Sequence, residues 1–175
     1  HQHQINYSLY FLNLPYKYSY KNSFFKVFIR FDMAYSGRYI PINQKKYKGD
    51  VDKIIYRSLW ERRFMVYCDK STSILEWGSE EVIIPYISPL DGRRHRYFPD
   101  FYIKVKQKDG SIKKIIIEVK PKAQCGPPKP PKRKTPRFIS EVRTWGVNQA
   151  KWESAIEWCN DRNMEFKILT EDHLG

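Results

Sequence analysis

Apolar positions recur with two different periods along the chain, and each period marks a kind of element. In residues 49–70, GDVDKIIYRSLWERRFMVYCDK, the spacing of Ile55, Leu59 and Val66 predicts one helix with a buried face. Asp50 or Asp52 is its expected N-cap, because a carboxylate there accepts from the free N–H groups of the first turn. SILEWGSEEVIIPYI, residues 73–87, predicts two short β segments broken at Gly78. Asp91-Gly92 and Asp109-Gly110 are hairpin signals, since both pairs tolerate positive φ. They separate EVIIPYI (81–87), HRYFPDFYIKV (95–105) and SIKKIIIEVKPK (111–122), which together predict a three-stranded meander. Helical spacing returns in VNQAKWESAIEWCNDRN (147–163), with Ala150, Ile156 and Trp158 among the apolar positions. MEFKILT (164–170) predicts a short buried strand and EDHL (171–174) a last turn. Helix, strands, helix, strand is the order of a mixed α/β sheet with helices packed on it.

Two segments fall outside this pattern. Residues 1–32 hold ten Phe or Tyr but neither Trp nor Gly, and a single acid, Asp32. The segment is expected to be an aromatic-basic extension outside the core, with the domain running from Met33 to 175. It lacks the unbroken apolar stretch and small-residue cleavage site of a signal peptide. An arm that stacks on bases or lies on a membrane is the functional alternative. Residues 121–137, PKAQCGPPKPPKRKTPR, hold six prolines, six Lys or Arg and no acid. Such a stretch cannot build a core and is expected to be an extended, mobile loop, either a solvated linker or a basic flap along a phosphate backbone.

Charge narrows the function. The chain carries 32 Lys and Arg against 19 acids, a net +13, and residues 33–175 alone retain +10. An excess that large points to a polyanion, nucleic acid before a membrane surface. No run of eighteen apolar residues exists, so a spanning helix is excluded. Cys68, Cys125 and Cys159 lie far apart without a CxxC, which argues against a disulfide framework or a zinc ribbon and fits a reducing compartment.

Candidate chemistry gathers on the predicted strands. In YFPDFYIKV, Asp100, Tyr102 and Lys104 share one face while Phe101, Ile103 and Val105 share the other. In KIIIEVKPK, Ile115, Ile117 and Val119 point to one side, and Glu118 and Lys120 to the opposite one. Pairing through the Asp109-Gly110 turn brings Asp100 near Glu118 in a suitable register. Two adjoining carboxylates near a core repel, and a hard divalent cation with oxygen ligands, Mg²⁺ above all, relieves that repulsion. Lys120 adds an ammonium that neutralises phosphate or orients a water. These are the parts of metal-assisted phosphodiester hydrolysis. The plainer alternative is an ion pair of Glu118 with Lys120 and a strand-edge charge at Asp100.

Pro99-Asp100, seventeen residues, then Glu118-Val119-Lys120 resembles the PD-(D/E)xK motif of the restriction-endonuclease-like superfamily. Glu61, within YRSLWERRF, occupies the place of the helical acid that such nucleases carry before the strands. The run from YRSLWE through RYFPDF and IIEVKP to FKILTEDHL is similar to transposon-end endonucleases, and closer to the head-completion nucleases of tailed phages. The resemblance covers most of 33–175 and none of 1–32. It implies a restriction-endonuclease-like fold, a mixed central β-sheet flanked by helices. It further implies a Mg²⁺-dependent deoxyribonuclease (Mn²⁺ substituting) with Asp100 and Glu118 as metal ligands, Glu61 as a further or water-mediated ligand, and Lys120 as the catalytic lysine. DNA is the implied substrate, phage portal or head-neck proteins are the implied partners, and the host cytoplasm during assembly is the implied location. A non-catalytic basic adaptor on the same fold is the competing class.

Other residues support or dilute this reading. Arg93, Arg94 and Arg96 precede the Asp100 strand, as phosphate contacts or as a solvated hairpin tip. Lys129, Lys132, Arg133 and Lys134 are the DNA-tracking candidates of the proline-basic loop. Arg57 and Ser58 lie one turn before Glu61, and Glu80 or Glu81 is a weaker metal candidate. His95 and His173 lack zinc spacing. Glu165-Phe166-Lys167 repeats ExK without an upstream Pro-Asp and is set aside.

Overall fold

The structure is a computed structural model that describes residues 36–174, all within a unit spanning Asp32–Gly175. The expectations for residues 1–32 lie outside the described residues. In chain order, β1 (Gly37–Arg38) and β2 (Ile55–Tyr56) form a small antiparallel pair, followed by α1 (Leu59–Lys70). Next come β3 (Ile74–Ser79), β4 (Ile84–Ile87), β5 (Arg94–Tyr97), β6 (Phe101–Lys106) and β7 (Ile112–Val119). The chain closes with α2 (Pro136–Asn160), β8 (Glu165–Leu169) and α3 (Glu171–Leu174).

β3, β6, β7 and β8 make the central sheet in that order. The first three pair antiparallel, whereas β8 joins β7 in parallel after the crossover through α2 that a parallel pair requires. β7 is an inner strand, and its run of Ile is continuous because both faces are covered. Ile115, Ile117 and Val119 pack with Phe101, Ile103 and Val105 against Phe64, Met65 and Cys68 of α1. Ile116 faces the other way, toward Trp152, Ala155 and Cys159 of α2 and toward Tyr86 and Tyr97 of the β4–β5 hairpin. The mixed sheet with helices on both faces is the architecture the sequence predicts.

The C-terminal end of α1 is tied to the segment before it in sequence. The buried Asp69 carboxylate accepts from the Tyr39 hydroxyl (3.0 Å) and from the backbone N–H groups of Ile42 (2.7 Å) and Asn43 (2.8 Å). Lys46 Nζ donates to the carbonyls of Cys68, Asp69 and Ser71, where a cation satisfies the free acceptors of a helix end.

Four expectations are corrected. α1 begins at Leu59 with Ser58 as N-cap, whereas Asp50 caps a separate 3₁₀ turn, Val51–Lys53. Ile55 consequently lies on a strand and is 49% exposed, and the buried face of α1 belongs to Phe64, Met65 and Cys68. Gly78 does not break its strand; the interruption comes at Glu80, whose φ of 56° turns the chain out of the sheet. The three-stranded meander does not form, because β4 and β5 pair only with each other while β6 pairs with β3 and β7. Both Asp-Gly turns do close hairpins, with Gly92 and Gly110 at φ 66° and 85°. Finally, the proline-basic segment is anchored at both ends. Lys122 binds Asp172 (2.7 Å), a 3₁₀ turn spans Lys122–Gln124, and Pro136 already opens α2 behind the Thr135 cap.

Candidate active site

β6 and β7 pair in a register that matches Phe101 with Ile117, so one further step sets Asp100 opposite Glu118. Both project to the α2 side of the sheet, the face of Ile116 and Tyr102. On that face a covered inner strand calls for an apolar residue, yet Glu118 stands there at 4% exposure. Its Oε2 accepts from the Tyr97 hydroxyl at 2.6 Å, and its Oε1 pairs with Lys120 Nζ at 2.9 Å. Asp100 Oδ2 accepts from the backbone N–H of Val119 at 2.7 Å, while Oδ1 has no hydrogen-bond partner among the described residues.

The electrostatics follow from this crowding. Burial and the neighbouring Glu118 charge push the Asp100 carboxyl well above its ordinary range, despite the Val119 N–H and Lys120. Burial disfavours the Lys120 ammonium, but Glu118, Asp100 and Glu61 more than offset it and raise its pKa. Burial likewise raises the Tyr97 phenol, reinforced by Glu118, so Tyr97 is a firm donor to that carboxylate. The result is a pair of carboxylates with one oxygen, Asp100 Oδ1, unpartnered among the described residues and the Lys120 ammonium against Glu118. That donor set fits a hard divalent cation, whose charge would relieve the Asp100–Glu118 repulsion.

Glu61 is held differently. It closes a capping box at the start of α1. Ser58 Oγ accepts from Glu61 N, and the Glu61 carboxylate accepts from Ser58 Oγ (2.9 Å) and Arg57 N (2.7 Å). Its charge acts on Asp100 and Lys120, yet no cluster of three His, Cys, Asp or Glu side chains exists among the described residues. Arg57 pairs with Glu80, and Glu81 accepts from the Tyr47 hydroxyl (3.0 Å), so neither Glu80 nor Glu81 joins the Asp100–Glu118 pair.

The basic candidates are dispersed. Arg93 lies at the hairpin tip, and the two-residue period of β5 sets Arg94 and Arg96 on the face opposite Tyr97. Lys129, Lys132, Arg133 and Lys134 are exposed between the 3₁₀ turn and α2. Two residues near the carboxylates, Tyr97 and Lys151, carry no signal in the sequence. Lys151 Nζ rests over the rings of Tyr97 (5.5 Å) and Tyr86 (5.7 Å) and lies within the fields of Glu118, Lys120 and Asp100. The second ExK copy is spent on surface pairs, with Glu165 bridging Lys113 (2.5 Å) and Lys167 (3.1 Å).

Residues 71–171 match the family described as TnsA-like endonuclease N terminal. That span includes Asp100, Glu118, Lys120 and Lys151 and begins after Glu61. The chain is also 44% identical over 146 residues to the head completion nuclease of Enterobacteria phage T4, an alignment covering 81% of this chain and 95% of that protein.

Proposed function

The chain belongs to the TnsA-like endonuclease family, and from that membership we propose a divalent-metal-dependent deoxyribonuclease acting in phage head completion. Its fold is restriction-endonuclease-like and its activity is that of a nuclease. The observation that carries the metal-dependent reading is Glu118, a buried acid on a covered inner strand, facing Asp100 and bound to Lys120.

Asp100 and Glu118 would hold the cation, with Mg²⁺ the natural occupant and Mn²⁺ a substitute. When bound, the metal supplies Lewis-acid polarisation of the phosphoryl oxygen and lowers the pKa of a water. Tyr97 fixes the Glu118 carboxylate through its 2.6 Å hydrogen bond, and the Val119 N–H fixes that of Asp100. Lys120, held charged by its acidic neighbours, orients the attacking water and neutralises charge that develops on the phosphate. Glu61, anchored in its capping box, tunes the site through its field or through a bridging water. The +13 charge holds the DNA, with Arg93, Arg94, Arg96 and the basic segment 129–134 contacting phosphates away from the reacting bond. Portal or head-neck proteins are the proposed assembly partners, in the host cytoplasm.

Incubating the purified chain with linear duplex DNA in Mg²⁺ or in EDTA tests the reading. Cleavage is expected with the cation alone. Equal cutting in EDTA would remove the metal from the account.

A further inference from the structure

A groove of about 350 Å³ runs between the tip of the β4–β5 hairpin and α2. Leu90, 60% exposed, forms one wall, and Arg143, Thr144, Val147, Asn148 and Lys151 form the other. The α2 residues recur at three- and four-residue spacing, so they lie on one helical face, and no acid lines the groove. Their span from Arg143 to Lys151 is two turns, roughly 12 Å of helix axis. Gly146 lies where the hairpin approaches the helix, with Pro89 Cγ 4.0 Å from the site of an added Cβ.

Three features of this groove bear on what it binds. Arg143 and Lys151 have no ion-pair partner among the described residues, although exposed acids occur elsewhere on α2. Asn148, at 8% exposure, lines the groove; its side-chain amide makes no hydrogen bond to the other described residues and is open to solvent at the groove. Lys151, placed over Tyr97, also joins the groove to the carboxylates, because the Tyr97 hydroxyl binds Glu118. A ligand that satisfies all three carries anionic oxygens at intervals, a hydrogen-bonding group between them, and an apolar face for Leu90 and Val147.

We propose that this groove is a subsite for the strand flanking the bond to be cut, with Lys151 on the phosphate next to the reacting one and Arg143 on a phosphate farther along. Asn148 bonds the nucleotide between them, and Leu90 and Val147 cover its sugar or base face. The assignment rests on the nuclease reading, deepening it from a charge-wide attraction to named contacts. A phosphodiester strand meets the groove's chemistry better than an acidic peptide, because it combines regular anionic charge with flat apolar units.

The test uses the full chain and a labelled blunt duplex in EDTA, with binding followed by fluorescence anisotropy across a salt series. Arg143→Gln is expected to weaken binding roughly tenfold. It should also lower the slope of log K against log salt by about 0.9, the value of one neutralised phosphate. Asn148→Ala is expected to weaken binding roughly three- to tenfold with the slope unchanged, as for a neutral hydrogen bond. Lys108→Gln, in the distant β6–β7 turn, is the charge control and should leave both unaltered. Circular dichroism of each variant distinguishes weakened binding from unfolding. Unchanged affinity and slope in a folded Arg143→Gln would overturn the subsite, even if the parent cleaves DNA. Conversely, a slope that depends on Arg143 in a parent that never cleaves would leave a DNA-binding groove and overturn both its place beside a cut bond and the nuclease reading on which that place rests.

Discussion

Asp100 is half-buried beside a second carboxylate, with one oxygen bonded to Val119 N and the other free of any partner among the described residues. A residue so placed reduces the stability of the metal-free protein, since both desolvation and repulsion oppose its charge. Asp100→Asn keeps the Val119 hydrogen bond while removing the charge. Calorimetry in EDTA should therefore show a higher melting temperature than the parent, by roughly 2–4 °C for each kcal/mol of strain relieved. A lower one would mean that the carboxylate is a stabilising group and not one waiting for a cation. Tyr97 acts one contact away. Tyr97→Phe withdraws the hydroxyl from a buried carboxylate, which costs about 1–3 kcal/mol in the orientation of that group. Turnover at saturating DNA should fall by roughly tenfold or more, while affinity measured in EDTA stays near the parent value. Neither Tyr97 nor Lys151 was legible in the sequence. A tyrosine in a β-rich run and a lysine within a helical period look like packing and solvation. Their relevance comes only from the packing of the hairpin and α2 over one face of the sheet. Asp100, Glu118 and Lys120 were legible because strand alternation and the Asp109-Gly110 turn together bring them to one face.

At the scale of elements, local signals served where partners are close in sequence and failed where they are distant. Ile115, Ile116 and Ile117 marked a strand, and both Asp-Gly pairs marked hairpins. The separate pairing of β4 with β5 was hidden, since the choice between one sheet and two depends on β3 claiming the edge of β6. The start of α2 was hidden as well. Pro136 belongs to a proline-rich run read as loop to 137, and Gly146 interrupts the helical pattern, so the helix was read only from Val147. Gly146 has helical neighbours on both sides and meets only Pro89 Cγ, at 4.0 Å, so a methyl group fits there. Gly146→Ala should stabilise the protein by up to about 1 kcal/mol in urea unfolding. Destabilisation would show that the hairpin needs the bare backbone. The Asp69 hub predicts the opposite sign. Asp69→Ala leaves the Tyr39 hydroxyl and the N–H groups of Ile42 and Asn43 without their acceptor. A loss of about 3 kcal/mol or more is expected in the same assay. A change within experimental error would mean the residues before β2 contribute nothing to the fold.

For the whole molecule, charge and topology divide the work. The sheet sets two carboxylates and a lysine at one end of β6 and β7, while a net +13 supplies attraction that does not depend on DNA sequence. Lys129, Lys132, Arg133 and Lys134 lie in the segment between Lys122, paired with Asp172, and Pro136, the first residue of α2, on the chain that leaves β7 beside Glu118 and Lys120. Changing all four to Gln should flatten the salt dependence of DNA binding by about 0.9 for each phosphate left unneutralised, with little effect on cleavage at saturating DNA. An unaltered slope would assign the segment to a protein partner. The claim on which everything else depends is that Asp100 and Glu118 together hold the cation that cleavage requires. Single-turnover cleavage of linear duplex in saturating Mg²⁺ by a folded Asp100→Asn, Glu118→Gln double variant tests it most directly. The rate should fall by about two orders of magnitude or more. A double variant with intact circular dichroism that cuts at the parent rate would contradict it.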